Sequence, residues 1–502
     1  MLITILVYLA AMVGIGAVLA KQNQTTDDFY LGGRTLGPLV TAMSAEASDM
    51  SSWLLMGLPG VAYLSGTADA AWTAIGLAIG TYVNWLVVAK RLRNYTHVCG
   101  NSTTLPLFFS NRYRDNKRIL SVIAALLIII FFVPYTASGF AACGKLFANL
   151  FGMDYLPAML ISAIVIVAYT TLGGFLAAST TDFVQSIVMT IAIVVVFGFG
   201  ISKVGSFSAV MDNAKSMAGY FSLTHTHDVA TGTASPYSLL QIFSTLAWGL
   251  GYFGMPHVLL RFMAIGDANK LKLSRRVATV WVVISMAVSV LIGVIGNAMT
   301  KAGVLPTLKD PETIILVVAD LISKHGVLAT IIAGLILAGI LAATMSTADS
   351  QLLAASSSAS QNILKEVFMK DMSEKTGMLI ARITVLVIAL IGVFIARNPD
   401  SSVFQIVSFA WAGFGASFGP LVLVALFWKR STFQGALCGM VSGGVMVFVW
   451  KFLIRPMGGA LGIYELLPAF LLGLAVNVIV SLLTPAPSRE VQDEFDKVAS
   501  MK

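Results

Sequence analysis

The feature that most constrains this chain is the recurrence of long apolar runs along almost its whole length. Each run is close to the ~20 residues that a helix needs to cross a bilayer core. Lipid offers backbone groups no hydrogen-bond partners, so such runs are expected to be helices. Only 11% of the residues are charged, whereas a soluble domain carries about 25%. The sequence therefore predicts an all-α polytopic membrane protein.

The apolar runs predict about thirteen transmembrane helices, near 2–20, 38–61, 68–89, 118–146, 154–173, 182–202, 237–257, 274–297, 328–357, 377–396, 402–428, 433–453 and 464–484. Together they form one membrane transport domain, residues 1–484. Residues 485–502 are expected to be a short cytoplasmic tail.

Basic residues predict the orientation of these spans. The segments 90–118 and 261–276 are rich in Lys and Arg and fall on the same side of a thirteen-span chain. The positive-inside rule makes that side cytoplasmic, which places the N-terminus outside and the C-terminus inside. The net charge of +8 is thus a bias of the loops and no sign of nucleic-acid binding. The localisation expected is the plasma membrane, with the lipid bilayer as a partner.

Polar residues interrupt the second span at 44–60. This stretch contains the carboxylates Glu46 and Asp49, four serines and a Gly57–Gly60 break. A carboxylate at membrane depth costs at least ~2.5–3.5 kcal/mol on insertion scales, so a functional role is the default interpretation. The pattern predicts a locally unwound helix whose carbonyl groups are free to bind a ligand.

A second interruption lies in the seventh span, at 248–257, where glycines precede a proline. The second and seventh spans are both broken and lie five spans apart in the chain. This pattern indicates two inverted repeats of five helices each. The repeats would be 38–202 and 237–428. One extra helix, 2–20, precedes them and two, within 433–484, follow.

A polar cluster in the ninth span contains Ser346, Thr347 and Asp349. Adjacent hydroxyl groups facing unwound carbonyls near 47–50 would suit sodium, because hard cations prefer oxygen ligands. In isolation such a pair more often bonds to its own helix and aids packing. The neighbouring Asp349, opposite a break that contains Asp49, favours the cation site.

The remaining buried carboxylates allow two interpretations each. Asp49 either ligates an ion or solute, or bonds the unwound backbone of its own helix. Asp182 is expected to cap the N-terminus of the sixth span; the alternative is a second ion site with Asp349 and Ser350. Glu46 lies three positions before Asp49, so it would be protonated, hydrogen-bonded or proton-coupled.

Aromatic residues Trp53, Tyr135, Trp248 and Tyr252 lie in or beside these polar spans. Aromatic walls suit a small solute with an apolar ring and a charged end, although aromatic residues also populate membrane interfaces. Arg34 precedes the second span, where it either attracts anions or, by default, anchors the helix end. The sequence shows no nucleophile–base pair and no metal-binding cysteine spacing, so an enzyme is not expected.

Three stretches carry a family resemblance: LGGRTLGPLVTAMSAEASDMSSWLLMGLPG (31–60), WGLGYFGMPHVLLRFMA (248–264) and LAATMSTADSQLL (341–353). They resemble the sodium:solute symporter family, and within it the bacterial sodium/proline symporters. The resemblance implies a leucine-transporter-like core of five plus five helices in a thirteen-span chain. It implies sodium-coupled import of L-proline by alternating access, with sodium as the co-transported ion and no cofactor.

The resemblance also implies roles for single residues. Sodium would be bound by Ala47, Met50, Ala343, Ser346 and Thr347. Asp49 and Arg34 would couple the ion to the solute. Positions linked to proline binding are Ser51, Ser52, Trp53, Tyr135, Trp248, Tyr252 and Pro256. In some relatives a second sodium site involves the positions of Asp182, Asp349 and Ser350.

Two positions depart from the family pattern. Glu46 and Ser52 stand where the family usually has glycine. Ser52 adds bulk beside the proposed solute, and Glu46 adds a second carboxylate beside Asp49. The alternative function is therefore a sodium- or proton-coupled symporter of another small solute, such as a betaine, pantothenate or another amino acid.

Overall fold

A computed structural model describes residues 1–21, 25–369, 372–398 and 402–501. Within these residues the chain is helical almost throughout. The α-helices are α1 Leu2–Ala20, α2 Thr26–Leu31, α3 Pro38–Ser52, α4 Leu58–Ser65, α5 Thr67–Val83, α6 Ala89–Val98, α7 Leu105–Arg112, α8 Ile119–Phe151, α9 Tyr155–Val204, α10 Phe207–Ser216, α11 Leu239–Leu246, α12 Pro256–Ala264, α13 Leu271–Lys301, α14 Ile314–Ser323, α15 Val327–Ser357, α16 Glu374–Ala396, α17 Val403–Phe427, α18 Phe433–Val449, α19 Leu466–Leu483 and α20 Arg489–Ser500.

Short helical turns of other pitch join several of these helices. The π-helical segments are Trp53–Gly57, Asn84–Val88, Ser358–Phe368 and Trp450–Ile454, and the 3₁₀ segments are Gly32–Arg34, Ala247–Gly254, Ala268–Lys270, Pro311–Thr313, Arg455–Met457 and Gly459–Leu461. Two three-residue strands, β1 His225–His227 and β2 Ala234–Pro236, pair antiparallel between the sixth and seventh predicted spans.

In the described part of the chain, ten helical stretches are long and apolar enough to cross a membrane. They are Leu2–Leu19, Thr67–Val98, Ile119–Phe151, Gly173–Val204, Ala268–Lys301, Val327–Glu366, Lys375–Ala396, Val403–Phe427, Phe433–Met457 and Leu466–Leu483. Large apolar side chains on several of them are open to the surroundings, as expected for lipid contact; Ile3, Val194 and Leu390 are 53–78% exposed. The prediction of a helical, polytopic membrane protein is confirmed.

The three other predicted spans are the second, fifth and seventh, and each is short or interrupted. The fifth, 154–173, and sixth, 182–202, are joined in α9, a helical element of 50 residues that is interrupted at Gly174. Gly174 has φ 64° and ψ −174°, a conformation that glycine adopts without steric cost. A straight helix of that length would measure about 75 Å, far more than a bilayer core. The break at Gly174 thus divides one continuous helical stretch into two segments.

This geometry corrects the interpretation of Asp182. The sixth span was expected to begin at Asp182, with the carboxylate as its N-cap. Instead Asp182 lies inside α9, eight residues beyond the break, and its side chain is fully buried. The N-cap prediction is wrong because the helix begins before Asp182 and supplies that residue's backbone hydrogen bonds.

Both predicted interruptions are present. In the second span, α3 is broken at Ser51, which has φ 47° and ψ −172°. The left-handed region costs a non-glycine residue ~1–3 kcal/mol, and the Ser51 hydroxyl offsets part of this by accepting a hydrogen bond from the Trp53 backbone N–H at 3.0 Å. In the seventh span, a 3₁₀ segment and the extended residue Met255 separate α11 from α12.

The two broken spans lie at the centre of the helical packing. Helix α3 contacts α9, α15, α13 and α12, while α17 and α5 cover the 3₁₀ segment Ala247–Gly254. The flanking helices pack around this core: α1 lies on α9 and α15, and α18 and α19 pack on each other and on α17. The broken backbone is therefore enclosed by protein, as unpaired backbone at membrane depth requires.

Glycines allow α5 to approach the second broken span closely. A Cβ atom on Gly249 would lie 2.2 Å from the Gly76 carbonyl oxygen, and one on Gly80 would lie 2.4 Å from the Gly249 oxygen. The obstacle in both cases is backbone, which cannot rotate away as a side chain can. These contacts hold the Trp248 region in place.

We expect Gly249→Ala to lower stability by about 1–3 kcal/mol, the usual cost of overpacking a filled interior. The measurement is the thermal unfolding midpoint of the purified protein in detergent. Gly198→Ala is the matched control, because a Cβ atom there meets nothing within 4 Å. Equal midpoints for the two variants would contradict a rigid contact between α5 and the broken span.

Candidate functional site

Helices α3 and α15 meet at the predicted ion-binding residues. The Ser346 hydroxyl donates to the Ala47 carbonyl at 2.9 Å and contacts the Ala343 carbonyl at 3.2 Å. The Thr347 hydroxyl donates to the Ala343 carbonyl at 3.1 Å. All four residues are buried. The structure thus brings two carbonyl and two hydroxyl oxygens together across the two helices.

Met50, the fifth predicted ligand, lies three residues beyond Ala47, next to the break at Ser51. Its backbone carbonyl accepts a hydrogen bond from the Trp53 N–H at the end of α3. The hydroxyl pair was expected either to bond its own helix or to face the carbonyls of α3. Thr347 bonds its own helix, whereas Ser346 also donates to a carbonyl of α3. A hard monovalent cation would find oxygen donors of the required kind at this contact.

Asp49 connects the ion-binding region to the aromatic residues. The Tyr252 hydroxyl donates to Asp49 Oδ2 at 2.6 Å, and the Tyr135 hydroxyl donates to the Asp49 backbone carbonyl at 3.1 Å. The other carboxylate oxygen, Oδ1, is buried without a hydrogen-bond partner among the described residues. Asp49 therefore binds both the second broken span and α8, and keeps one oxygen available.

Aromatic rings enclose a small space beside Asp49. It is lined by Asp49, Met50, Trp53, Leu77, Tyr135, Trp248, Val407 and Trp411. The rings of Trp53 and Trp248 are 5.5 Å apart, and Tyr252 meets Trp411 edge-on at 5.1 Å. Such a pocket provides apolar surfaces around a single charged group, the arrangement typical of sites for small amphipathic ligands.

Ser51 and Ser52 line a second small space. Its remaining lining residues are Tyr135, Thr136, Ser138, Gly139, Thr344, Thr347, Ala348 and Gln351. Tyr135 lines both spaces, and Thr347 connects the second one to the ion-binding residues. Pro256 is not among the lining residues of either space; it is the first residue of α12, one turn beyond Tyr252.

Sequence reasoning missed three aromatic residues of this region. Trp411 donates from Nε1 to the Trp248 carbonyl at 2.7 Å. Phe404 stacks on Trp53, with ring centroids 6.0 Å apart. Tyr464, from the segment before α19, stacks on Trp248 at 5.1 Å. Only Trp411 belonged to a polar and glycine-rich stretch that could have pointed to it.

Glu46 has one specific partner. Its Oε1 atom accepts a hydrogen bond from the indole Nε1 of Trp85 at 2.9 Å, and its Oε2 atom is buried without a partner in the described part of the chain. Of the interpretations given above, this geometry agrees with a hydrogen-bonded carboxyl group. Trp85 carried no signal in the sequence, because it lies in an otherwise unremarkable apolar run.

A second polar centre lies between α3, α9, α12 and α15. We call Ser44, Asp182, Arg261, Asp349 and Ser350 the Asp182 cluster. Asp182 Oδ2 accepts from the Ser44 hydroxyl at 2.7 Å and from Arg261 Nη2 at 3.1 Å. Ser350 donates to Asp349 Oδ1 at 3.1 Å. The structure therefore brings together the three residues of the predicted second ion site, with an arginine among them.

Arg261 is the principal correction to the sequence reading. It was counted among the basic residues of a cytoplasmic loop, but it lies within α12 and its side chain is only 1% exposed. The available signal was its position inside the apolar run LLRFMA, directly after a broken span.

Arg34 joins the two broken spans at the end of the molecule where α3 begins. Its guanidinium donates to the Met263 carbonyl at 2.6 Å and the Ser102 carbonyl at 2.8 Å. The backbones of Leu36 and Gly266 pair beside it, N–H to carbonyl at 3.0 Å. Arg34 is thus more than a helix anchor, because it closes the contact between the start of α3 and the end of α12.

We expect Tyr252→Phe to weaken ion and solute binding together, because it removes the donor that holds the Asp49 carboxylate. A buried hydrogen bond to a charged group contributes about 1.5–3 kcal/mol, so the combined affinity should fall about 10- to 100-fold. Ligand-induced changes in tryptophan fluorescence of the purified protein measure both affinities. Tyr82→Phe, on an exposed tyrosine of α5, serves as the control. Unchanged affinities in Tyr252→Phe would mean that this hydrogen bond does not position Asp49 for binding.

Comparison with known proteins places the chain among characterised transporters. The model of the sodium:solute symporter family matches residues 29–443. The sodium/proline symporter of Escherichia coli (strain K12) is 41% identical over 500 residues, covering 99% of this chain and 95% of that protein. The osmoregulated proline transporter OpuE of Bacillus subtilis (strain 168) is 40% identical over 489 residues, covering 97% and 96%.

Solved structures show the same fold at lower identity. A sodium-coupled sialic acid symporter, in a substrate-bound outward-open state, superposes with a TM-score of 0.80 at 19% identity, covering 97% of this chain and 98% of that one. A nucleobase-cation-symport-1 family transporter in a closed conformation gives a TM-score of 0.55 at 14% identity, covering 93% and 98%. At these identities the likeness concerns the fold alone.

Proposed function

This chain belongs to the sodium:solute symporter family, and we propose that it imports L-proline together with sodium by alternating access. The family and the relatives named above are transporters, not enzymes. Relatives of about 40% identity over nearly the full length are named as proline transporters. The observation that carries the proposal is the pair of hydrogen bonds from Ser346 to Ala47 and from Tyr252 to Asp49, which joins an oxygen-rich contact to an aromatic pocket.

Sodium would bind between α3 and α15. The carbonyl oxygens of Ala47, Met50 and Ala343 and the hydroxyl oxygens of Ser346 and Thr347 are its proposed ligands. Four of these five residues already contact one another across the two helices, so little rearrangement of side chains is required. Pre-organisation of this kind increases affinity because fewer groups lose freedom on binding.

Proline would bind beside the ion, between the two broken spans. Its ring would contact Trp53 and Trp248, and its polar groups would meet Ser51, Ser52, Tyr135 and Tyr252 near the broken backbone. Asp49 couples the two sites, because it follows the sodium ligand Ala47 on α3 and accepts the Tyr252 hydroxyl. Pro256 would act by fixing the start of α12, and Arg34 by closing one end of the pathway.

We extend the proposal to the finer architecture. The chain would cross the plasma membrane of a bacterium thirteen times, with the N-terminus outside and the C-terminus in the cytoplasm. Residues 38–202 and 237–428 would be the two inverted repeats, and residues 1–484 a single transport domain. The broken spans at Ser51 and Ala247–Gly254, one in each half, support this division.

One sodium ion per proline provides sufficient free energy for accumulation. Moving one charge through 100 mV contributes about 2.3 kcal/mol, and a tenfold sodium gradient adds about 1.4 kcal/mol. The total of about 3.7 kcal/mol would sustain a several-hundred-fold gradient of solute. No covalent chemistry is needed.

The first test is uptake of labelled proline into proteoliposomes that contain the purified protein. An imposed sodium gradient is expected to drive accumulation, and micromolar unlabelled proline is expected to compete. Parallel assays with a betaine, pantothenate and other amino acids test the alternative solutes. Failure of unlabelled proline to compete would exclude proline as the solute.

Glu46 favours one alternative, coupling to protons. The carboxyl group lies buried one residue before Ala47, and a single hydrogen bond from Trp85 is its described side-chain contact. The same vesicles, driven by a proton gradient without sodium, separate the two candidates. Accumulation of proline under that condition would mean that protons, and not sodium ions, are the coupling ion.

We expect Ser346→Ala to raise the sodium concentration for half-maximal uptake about tenfold or more, since the substitution deletes one proposed ligand and its bond to Ala47. The Michaelis constant for proline at saturating sodium should change much less. Ser357→Ala is the control, because Ser357 lies on the same helix and its hydroxyl donates to the Ala354 carbonyl of that helix. Equal losses of apparent affinity for sodium and for proline would mean that Ser346 contributes only to helix packing.

A further inference from the structure

A cavity of about 420 Å³ lies where the broken second span ends, beyond the aromatic pocket. Its walls come from residues 57–64 of that span, from α8, from the segment before α14 and from the start of α17. Sites for small molecules usually have volumes of about 300–1,000 Å³. Among the described residues that line this cavity there is none of those assigned above to sodium or to proline. The cavity is therefore large enough for a ligand of its own.

Four charged side chains line the cavity, two lysines and two carboxylates: Lys145, Lys309, Asp310 and Glu312. Lys145 Nζ lies 2.8 Å from Asp310 Oδ2 and 3.1 Å from Glu312 Oε2, and the Lys145 side chain is 8% exposed. Glu312 is buried, and both of its carboxylate oxygens accept hydrogen bonds from backbone N–H groups at the start of α17. These contacts engage Lys145 and Glu312 within the wall of the cavity.

Lys309 and Asp310 supply the accessible charges. Lys309 is exposed, and the Asp310 side chain is 40% exposed. Asp310 contacts Lys145 through Oδ2 and accepts the backbone N–H of Glu312 on Oδ1 at 3.0 Å. Each carboxylate oxygen has two lone pairs, so Asp310 can accept a further donor. The cavity thus offers a ligand one positive and one negative group, on neighbouring residues.

The cavity adjoins the aromatic pocket through Phe404. The Phe404 ring lies 6.0 Å from the Trp53 ring and 5.6 Å from the Trp248 ring, and both tryptophans line the aromatic pocket. Phe404 itself lines the outer cavity, together with the apolar side chains of Val61 and Leu64. A ligand in the cavity would therefore meet an apolar surface on one side and the charges of Lys309 and Asp310 on another.

We propose that this cavity is an outer binding site for a small zwitterion, an amino acid that carries one carboxylate and one ammonium group. Its carboxylate would pair with Lys309 and its ammonium group with Asp310, while its apolar part would lie on Phe404 and Val61. The proposed orientation of the spans places the cavity outside, so the site would precede the aromatic pocket on the path of import. The inference rests on the proposed import for this order of events, whereas binding at the cavity requires no sodium.

The two accessible charges favour a zwitterion over a simple ion. A carboxylate that lacks an amino group would be attracted by Lys309 and repelled by Asp310, and an amine that lacks a carboxylate would experience the reverse. Coulomb energy falls only as the inverse of distance, so both neighbouring groups act on a ligand of this size. Selectivity then comes from the repulsion of the wrong ligand as well as from the attraction of the right one.

Binding of L-proline in sodium-free buffer tests the proposal, because the aromatic pocket is proposed to bind proline together with sodium. The measurement is a saturation-transfer NMR titration of the purified full-length protein in detergent. L-Proline, pyrrolidine and cyclopentanecarboxylate are the probes, and the last two each keep a five-membered ring and one of the two charges. Proline should bind at least about fivefold more tightly than either, the effect of one additional partly exposed ion pair. Absence of sodium-free proline binding, or equal affinities for the three probes, would overturn the proposal.

Variants of the two accessible charges provide the second test. Lys309→Gln should weaken sodium-free proline binding about fivefold, because it removes the partner of the carboxylate. Asp310→Asn should weaken it to a similar extent and still offers an oxygen to the N–H of Glu312. Lys301→Gln is the matched control, since Lys301 is exposed and also lies between the eighth and ninth predicted spans, but not at the cavity. Equal proline affinities in Lys309→Gln and Lys301→Gln would overturn the proposal.

Asp49→Asn separates the outer site from the aromatic pocket. It alters the proposed inner site, so sodium-dependent binding of proline should weaken while sodium-free binding persists. Loss of the sodium-free binding in this variant would place the ligand in the aromatic pocket and overturn the proposal. Failure of sodium-driven uptake in proteoliposomes, with sodium-free binding retained, would defeat the proposed transport and support the outer site.

Discussion

The break in α3 at Ser51 is the constraint on which the site depends. In an intact helix the backbone carbonyls would accept hydrogen bonds from N–H groups of the same helix, and Trp53 would lie on a different face. With Ser51 in the left-handed region, α3 ends beside α15, where Ser346 meets the Ala47 carbonyl. The strain of about 1–3 kcal/mol is offset locally by the Ser51 hydroxyl and by the packing of helices on every side. Strain of this kind persists only where the surroundings fix it.

The same break explains how ion and solute can be coupled through few atoms. Ala47 and Asp49 lie on one short helical segment, so an ion bound at the Ala47 carbonyl, as proposed, would also order the Asp49 carboxylate. Asp49 in turn holds the Tyr252 hydroxyl of the second broken span at 2.6 Å. Arg261 adds a second connection between the broken spans through Ser44, and it also contacts Asp182 of α9. Movement of one span relative to the other must therefore change both contacts.

Much of this could be predicted from the sequence, because membrane spans and helix breakers are local signals. The broken second and seventh spans followed from glycine, proline and carboxylates inside apolar runs. The partners of Glu46 and Asp182 could not be predicted, since Trp85 and Arg261 lie on other helices and contact them only through tertiary packing. Arg261 was misassigned because a count of basic residues does not distinguish a loop from the end of a buried half-helix. Asp182 was misassigned because α9 continues beyond its glycine break.

In the proposed transport cycle, polar contacts would close the two ends of the pathway, and the two sets of contacts differ in the groups that make them. At one end Arg34 binds the backbone carbonyls of Met263 and Ser102, and the backbone of Leu36 pairs with Ala264 and Gly266 beside it. At the other, Glu312 accepts hydrogen bonds from the N–H groups of Val403 and Phe404 at the start of α17, each at 3.1 Å. Phe404 there covers Trp53. The first set of contacts joins the two broken spans directly, whereas the second joins the segment Pro311–Thr313 to α17, beside α4 of the broken second span. Opening at the Arg34 end would separate the start of α3 from the end of α12, so it would act on the contacts of Asp49 and Arg261, which join the same two spans.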